Sequence, residues 1–328
     1  MKSTLSPKIA FILCIDRGEL ESKSRLLIDS LRRFGGFSRT APVWVVQNSK
    51  HVDLDHDTLV FLDKQNVNLI AKRLEVIPRN LRFANKVAAA SYVEKEINNP
   101  TETLIMLDSD MLCLNPPSEL LLEEGQVAAC TVGSRGIATE ADKELTELWK
   151  YSFQIVGLDP DLSWKTKTRN DGKDIWAYFN SAIVASRAVN FFGRWKEFLA
   201  KLANNAYFKS MRLPDNRYRE LDQIALTLSM ISLHHFKIKE LPSIYNYSLR
   251  AHVKDAISFS KINCIEEAVF LHYGNLFFNL KWMEKICMAE STRQWLLDRV
   301  PLISGFDHPP SNMIKNFLSF LIRKKIIK

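Results

Sequence analysis

The run Leu104-Ile105-Met106-Leu107-Asp108-Ser109-Asp110-Met111-Leu112 constrains the fold of this chain more than any other stretch. Four consecutive apolar residues mark a buried strand, and two carboxylates one residue apart close it. Side chains at alternate positions of an extended backbone share a side, so Asp108 and Asp110 can face one point. Two like charges held that close are costly unless something positive lies between them. A divalent cation answers that need, and hard oxygen ligands suit Mg2+ or Mn2+. In an open α/β sheet, the carboxyl end of a strand is also where ligands bind. Taken alone, an Asp-x-Asp triplet is equally met as a solvated turn.

The flanking sequence supplies the rest of such a sheet. Lys8–Ile15 reads as a first strand, followed by a helix with the apolar stripe Leu20, Leu27, Leu31 and Phe34, stopped at Gly35-Gly36. Pro42–Gln47 is expected as a second strand and Thr58–Leu62 as a third. A helix is expected over Leu81–Ile97, ahead of the Asp-x-Asp strand. Pro116-Pro117 closes the turn after that strand, and Val127–Val132 reads as another. This βαβα order predicts an α/β fold with a mostly parallel sheet covered by helices on both faces. Further on, Thr139–Gln154 reads as a helix and Gly157–Lys173 as a polar loop long enough to be a mobile flap. Short strands are expected at Ala182–Ala185, Phe236–Glu240 and Ala268–Leu271, and helices at Ala188–Leu202 and Tyr218–Ile231. Without repeats or a clear linker, the chain divides into one main domain over 1–285 and a C-terminal helical extension over 286–328.

Composition narrows the function. A formal net charge of +8 favours anionic partners such as nucleotide phosphates or acidic lipid. The basic residues are dispersed rather than striped, which argues against nucleic acid. Cys14, Cys113, Cys130, Cys264 and Cys287 are scattered without a Cys-x-x-Cys pair, so neither a zinc site nor a disulfide framework is expected. A reducing compartment, the cytoplasm, fits that usage. The run Ile9–Ile15 is too short to span a membrane and lacks a small-residue cleavage site, so it reads as a strand and not a signal peptide. At the other end, Ile314, Phe317, Leu318, Leu321 and Ile322 form an apolar stripe, with Lys315, Arg323, Lys324, Lys325 and Lys328 supplying charge. A basic amphipathic helix over 313–328 is therefore expected to lie on an anionic membrane surface.

Three more segments carry chemistry. Asn180 and Ser181 stand where an aromatic loop, Ala177-Tyr178-Phe179, enters a strand. An Asn there can hydrogen-bond sugar hydroxyls or satisfy its own backbone. The stripe Leu221, Ile224, Ala225, Leu228 and Ile231 places Asp222 and Gln223 in a helix's first turn, where the dipole alone would favour an acid. His272 follows the apolar Val269-Phe270-Leu271, either as a satisfied polar residue or as the third ligand of the metal site that Asp108 and Asp110 begin.

In this order these landmarks resemble the metal-dependent nucleotide-sugar glycosyltransferases of the GT-A fold. The likeness is nearest to glycosyltransferase family 8, which includes glycogenin and the bacterial lipopolysaccharide galactosyl- and glucosyltransferases. It covers about residues 8 to 280 and rests on Cys14-Ile15-Asp16, Lys86, Leu107-Asp108-Ser109-Asp110, Phe179-Asn180-Ser181, Asp222-Gln223, Leu241-Pro242-Ser243-Ile244-Tyr245-Asn246 and His272-Tyr273-Gly274. The resemblance implies a Rossmann-like GT-A domain and a UDP-hexose donor. It implies Mn2+ or Mg2+ on Asp108, Asp110 and His272, bridging the donor diphosphate. Ile15 and Asp16 would lie near base and ribose, and Lys86 near the nucleotide or Asp108. Ser109 and Gly274 would join the donor contacts. Asn180, Ser181, Asp222 and Gln223 would surround the sugar, the last two flanking the anomeric carbon opposite the leaving group. It further implies retention of anomeric configuration and a glycan or lipid-linked acceptor. The chain departs from the family pattern in carrying Ala182 where Gly is usual. The closing His-x-x-Gly-x-x-Lys-Pro-Trp motif is reduced to His272-Tyr273-Gly274, with Lys281-Trp282 beyond it. Two other classes share parts of this pattern. One is a non-catalytic GT-A scaffold. The other is a haloacid-dehalogenase-type phosphatase, which would need its Asp-x-Asp near the N-terminus and a later acidic pair.

Overall fold

The computed structural model describes residues 9–75, 81, 83–97, 102–210, 220–278, 281–300 and 302. Along the chain, strand β1 (Ile9–Ile15) leads to helix α1 (Glu19–Phe34), β2 (Val43–Gln47), α2 (His56–Lys64), β3 (Asn68–Ala71) and α3 (Ala84–Ile97). There follow β4 (Thr103–Leu107), β5 (Met111–Cys113), β6 (Val127–Thr131), α4 (Glu147–Val156), β7 (Lys165–Lys167), β8 (Asp174–Trp176) and β9 (Phe179–Ser186). Helices α5 (Phe191–Asn204), α6 (Ala206–Ser210) and α7 (Leu221–Ile231) come next. The described chain closes with β10 (Ile238–Glu240), β11 (Tyr247–Ser248), α8 (Leu249–Val253), β12 (Phe270–His272) and α9 (Glu290–Leu297).

The central sheet has the order β10-β6-β9-β4-β1-β2-β3. Strands β4, β1, β2 and β3 run parallel, and β9 lies antiparallel between β4 and β6. The two-residue repeat of β1 divides the core. Ala10 and Ile12 pack with α3, α5 and α7, whereas Ile9, Phe11, Leu13 and Ile15 pack with α1 and α2 on the other face. Chain direction in strand order reverses beside β1, since β2 and β3 build to one side and β4 to the other. Such a switch point leaves a crevice beyond the strand ends. A second sheet, β11-β12-β5, stands beside it, with β12 antiparallel to β5. It anchors a third apolar cluster that includes Leu112, Tyr247, Phe277, Trp282 and Trp295.

Several expectations are corrected. Thr58–Leu62 is not a strand but lies within α2, and the third strand is β3. Its buried residues, Thr58 and Leu62, are four apart and share a helix face, a spacing that a five-residue apolar run conceals. The helix expected over Thr139–Gln154 begins only at Glu147, after Thr146 in extended conformation. Gly157–Lys173 is no single loop or flap: it carries β7, which pairs with β8 as a hairpin. That hairpin is tied down by Trp164 and Thr166 donating to the Glu240 carboxylate at 3.1 and 2.6 Å. Strand ends shift elsewhere, with β9 longer than Ala182–Ala185, β10 starting at Ile238 and β12 extending through His272. Cys264 and Cys287, expected to stay unpaired, are joined as a disulfide. Their 23-residue separation matches no spacing motif, so only the packing of the two segments brings them together. Residues 311–328, with the expected tail helix, lie outside the described residues. Among the described residues no helix is long and apolar enough to cross a membrane.

Candidate active site

The switch-point crevice is a cavity of about 410 Å³ lined by residues from the ends of β1 and β4, from α3, from the start of β9 and from the first turn of α7. Ile15, Asp16, Lys86, Asp108, Ser109, Asp110, Asn180, Ser181, Asp222, Gln223 and His272 all line it. Gly274 is not among its lining residues; it makes a left-handed turn (φ +60°) just after His272.

Each carboxylate is held by backbone before its side chain does anything. The Asp108 N–H donates to the Ala182 carbonyl at 2.8 Å, and the Asp110 carbonyl accepts from the Tyr273 N–H at 3.1 Å. Between them the chain leaves the central sheet for β5, whose antiparallel partner sets His272 opposite Met111. That crossing converts two distant motifs into one site. The ligating atoms of Asp108, Asp110 and His272 lie within 4.8 Å of one another. His272 Nε2 is 3.4 Å from Asp110 Oδ1, while His272 Nδ1 faces Asn246 Oδ1 at 3.0 Å. An amide oxygen on Nδ1 favours the tautomer whose Nε2 lone pair faces the carboxylates. Two carboxylates and one imidazole, each about a quarter exposed, fit a hard or borderline divalent cation.

Electrostatics agree with that fit. Burial works against the charged form of Asp110, but His272 and, further off, Lys23 hold its carboxyl well below the usual range. Burial likewise opposes a charged His272, yet the Asp110 carboxylate raises its pKa above that of an ordinary histidine. Burial pushes the Asp108 carboxyl up, against the pull of Lys86. Lys86 enters from α3, 7% exposed, and its Nζ stands 2.8 Å from Asp108 and 3.6 Å from Asp222. It also donates to the carbonyl and to the hydroxyl of Ser181, both at 3.0 Å. One lysine thus links the metal-type carboxylates to Asp222.

The second half of the cavity is a polar relay. Asp222 is buried, accepts from Ser181 Oγ at 2.6 Å, and has its carbonyl anchored by Trp195 Nε1 at 2.8 Å. Asn246 Nδ2 donates to Asn180 Oδ1 at 2.7 Å, and Asn180 Nδ2 donates to Gln223 Oε1 at 2.9 Å. A continuous chain therefore runs from His272 through Asn246 and Asn180 to Gln223, so orientation at one end is felt at the other. Ser109 Oγ donates to the Cys14 carbonyl at 2.9 Å and stitches β4 to β1 beneath the cavity.

Sequence reasoning missed several lining or supporting groups. Asn48 and Asn85 line the cavity and hydrogen-bond each other at 2.9 Å. Glu220 lines it too, with Tyr178 donating to its carboxylate at 2.6 Å; burial raises the Glu220 pKa. Lys23 lines it from α1. Its signal was present in sequence, since it sits inside the apolar helical stripe of Leu20 and Leu27.

The sequence profile of a family described as "Rhodobacterales glycosyltransferase domain" matches residues 11–234. In three dimensions the chain is similar to a crystal structure of an active-site mutant of LgtC, with TM-score 0.52 and 11% identity, covering 89% of this chain and 96% of that one. It also matches the galactosyltransferase LgtC in complex with donor and acceptor sugar analogues, with TM-score 0.48, 10% identity and coverage of 92% and 98%. The bifunctional glycosyltransferase WbbM matches with TM-score 0.48 and 14% identity over 92% of this chain and 53% of WbbM, so this chain spans about half of its length. No curated protein matches the sequence. The likeness to the LgtC mutant shows an α/β GT-A fold with a mostly parallel, helix-flanked sheet.

Proposed function

This chain belongs to the Rhodobacterales glycosyltransferase domain family and is a glycosyltransferase; we propose that it moves a hexose from UDP-hexose to a glycan or lipid-linked acceptor with the aid of Mn2+ or Mg2+. The observation that carries this reading is the convergence of Asp108, Asp110 and His272 with Asp222 and Gln223 in one cavity. A phosphatase reading is set aside by the family.

Breaking a glycosyl-phosphate bond builds negative charge on the departing diphosphate and positive charge on the sugar. Asp108, Asp110 and His272 would hold the divalent ion, which supplies charge stabilisation to the diphosphate without proton transfer. Lys86 holds the Asp108 and Asp222 side chains in register across the cavity floor, 2.8 and 3.6 Å from its ammonium. In this reading Asp222 and Gln223 flank the anomeric carbon, with Asn180 and Ser181 on the sugar hydroxyls. The Gln223 carbonyl, oriented by Asn180, and the Asp222 carboxylate are preorganised dipole and charge for a developing oxocarbenium. Ile15 and Asp16 would meet base and ribose, and Ser109 and the Gly274 turn would complete the donor contacts. We expect retention of configuration, which the anomeric NMR signal of the first-formed product distinguishes from inversion.

We also propose that 1–285 is the transferase domain, with 286–328 an extension whose basic sequence over 313–328 holds the enzyme on the anionic inner face of the membrane. Deleting 313–328 should lower association with anionic liposomes and spare donor hydrolysis. The Cys264–Cys287 bridge tests the cytoplasmic placement. A cytoplasmic chain carries the two thiols reduced in cells quenched with an alkylating agent and closes the bridge only on oxidation after lysis, whereas a pair already oxidised in cells argues for another compartment.

The deciding experiment is a thermal-shift panel of nucleoside diphosphates with and without Mn2+. A ligand that binds only the native state raises apparent stability by RT ln(1 + [L]/Kd). A UDP shift that needs Mn2+ is expected, and no shift with any nucleotide would overturn the reading.

A further inference from the structure

Helix α1 presents to the cavity a residue that packing alone does not call for. Lys23 falls between Leu20 and Leu27 on the apolar stripe of α1, where a leucine would fill the same place. Its side chain is only 4% exposed. Its Nζ pairs with Glu19 at 2.5 Å, is held by Asn275 Oδ1 at 3.0 Å and lies 5.4 Å from the centre of the Phe278 ring. Glu19 is 40% exposed, so the pair joins a fully desolvated cation to a half-solvated anion. Such pairs gain little over a well-packed apolar residue. Asn275, for its part, belongs to the turn that follows His272.

The charges of the cavity say what this cation is placed to meet. Lys86 is engaged by Asp108, Asp222 and Ser181. With a divalent ion present, that lysine and the ion together match only Asp108, Asp110 and Asp222, while Asp16 and Glu220 also line the cavity and add no positive charge. The charge of an arriving diphosphate, which grows as its glycosyl bond breaks, is left for a further cation. Resting on the donor reading above, we propose that Lys23 is a second cation of the donor site, donating through Nζ to a phosphate oxygen of the nucleotide donor. Asn275 positions it, and exchange of the Glu19 contact for phosphate frees one of its three donors. The step is an exchange of hydrogen bonds with no bond to carbon made or broken.

The test uses the full chain with Mn2+, UDP and uridine, the two ligands differing only in the diphosphate. Calorimetry reads UDP affinity, and ligand-observed NMR reads uridine binding. Lys23→Met should weaken UDP by about tenfold to a hundredfold, the range of one charge-assisted hydrogen bond, and leave uridine unchanged. Lys23→Arg should recover most of the loss. Glu19→Gln serves as a second variant: it removes the helix ion pair but keeps the cation, so UDP affinity should hold or rise. If Lys23→Met and Glu19→Gln weaken UDP and uridine alike, Lys23 is a helix ion-pair residue only and the inference is overturned. It is also overturned if Lys23→Met binds UDP as the wild type does. If the wild type itself binds no UDP with Mn2+, the donor reading fails first and takes this inference with it.

Discussion

Replacing Lys86 by Met removes one charge and keeps the volume, and the structure lets the cost be worked out. At an effective dielectric of about 20, the gross attraction at the 2.8 Å Asp108 contact is about 6 kcal/mol, and at the 3.6 Å Asp222 contact about 5 kcal/mol. Desolvation of the lysine offsets most of that. Removing one partner of a buried pair, however, strands the other, and the measured cost of doing so is about 3–5 kcal/mol. Here two carboxylates and a buried Ser181 carbonyl lose the same donor, so the upper part of that range is expected in metal-free protein. The deficit should depend on pH with a definite sign. Burial already holds the Asp108 carboxyl above its ordinary range, and losing Lys86 pushes it further up. A folded-state pKa raised above the unfolded one means stability is present at low pH and lost as pH rises through it. The Lys86→Met deficit should therefore narrow on going from about pH 7 to about pH 5. Urea denaturation followed by tryptophan fluorescence at both pH values measures it. A loss below about 1 kcal/mol, the scale of a surface pair, or a deficit equal at both pH values would refute the reasoning.

Other perturbations follow the same logic. Asp110→Ala should abolish the Mn2+-dependent part of any nucleotide thermal shift; a full Mn2+-dependent shift in the variant would remove Asp110 from the ligand set. His272 carries its proton to higher pH than an ordinary histidine because Asp110 faces it. Mn2+ and that proton compete for Nε2, so Mn2+ affinity should climb as pH rises from about 6.5. The His272→Gln variant should flatten that climb in a calorimetric titration, and an unaltered slope would count against ligation. Exchanging Cys264 and Cys287 together for Ser should lower stability by about 3 kcal/mol, the loop-closure value for a bridge spanning 23 residues. Non-reducing peptide mapping of the purified protein checks the pairing directly.

How much of the molecule could be read from residues alone depends on how far apart the interacting groups lie in sequence. The strand before Asp108, the α1 stripe with its Gly35-Gly36 stop, and the first-turn place of Asp222 and Gln223 rest on periods of two or 3.6 residues, which short windows display. Thr58–Leu62 is ambiguous in sequence because a five-residue apolar run fits either period, and the joint burial of Thr58 and Leu62 belongs to a helix. The α/β order with its strand-end acids was likewise legible, and so was the direction in which a ligand crevice would open.

Whether the landmarks met was a matter for the tertiary structure. His272 comes to Asp110 only because β5 turns out of the central sheet and pairs with β12, more than 150 residues later. Asn246 closes the Leu241–Asn246 landmark in sequence, but nothing local shows that it joins His272 to Asn180 and through it to Gln223. The resemblance sets Lys86 near the nucleotide or Asp108, but its second carboxylate partner, Asp222, comes within 3.6 Å only in the folded chain. The Cys264–Cys287 bridge and the burial of Lys23 belong to the same class. Sequence determines short-range periodicity, and with it the elements and the faces they bury. Which charges end up within reach of one another depends on register and topology, because electrostatic and hydrogen-bond energies act over a few ångströms of space whatever their distance along the chain.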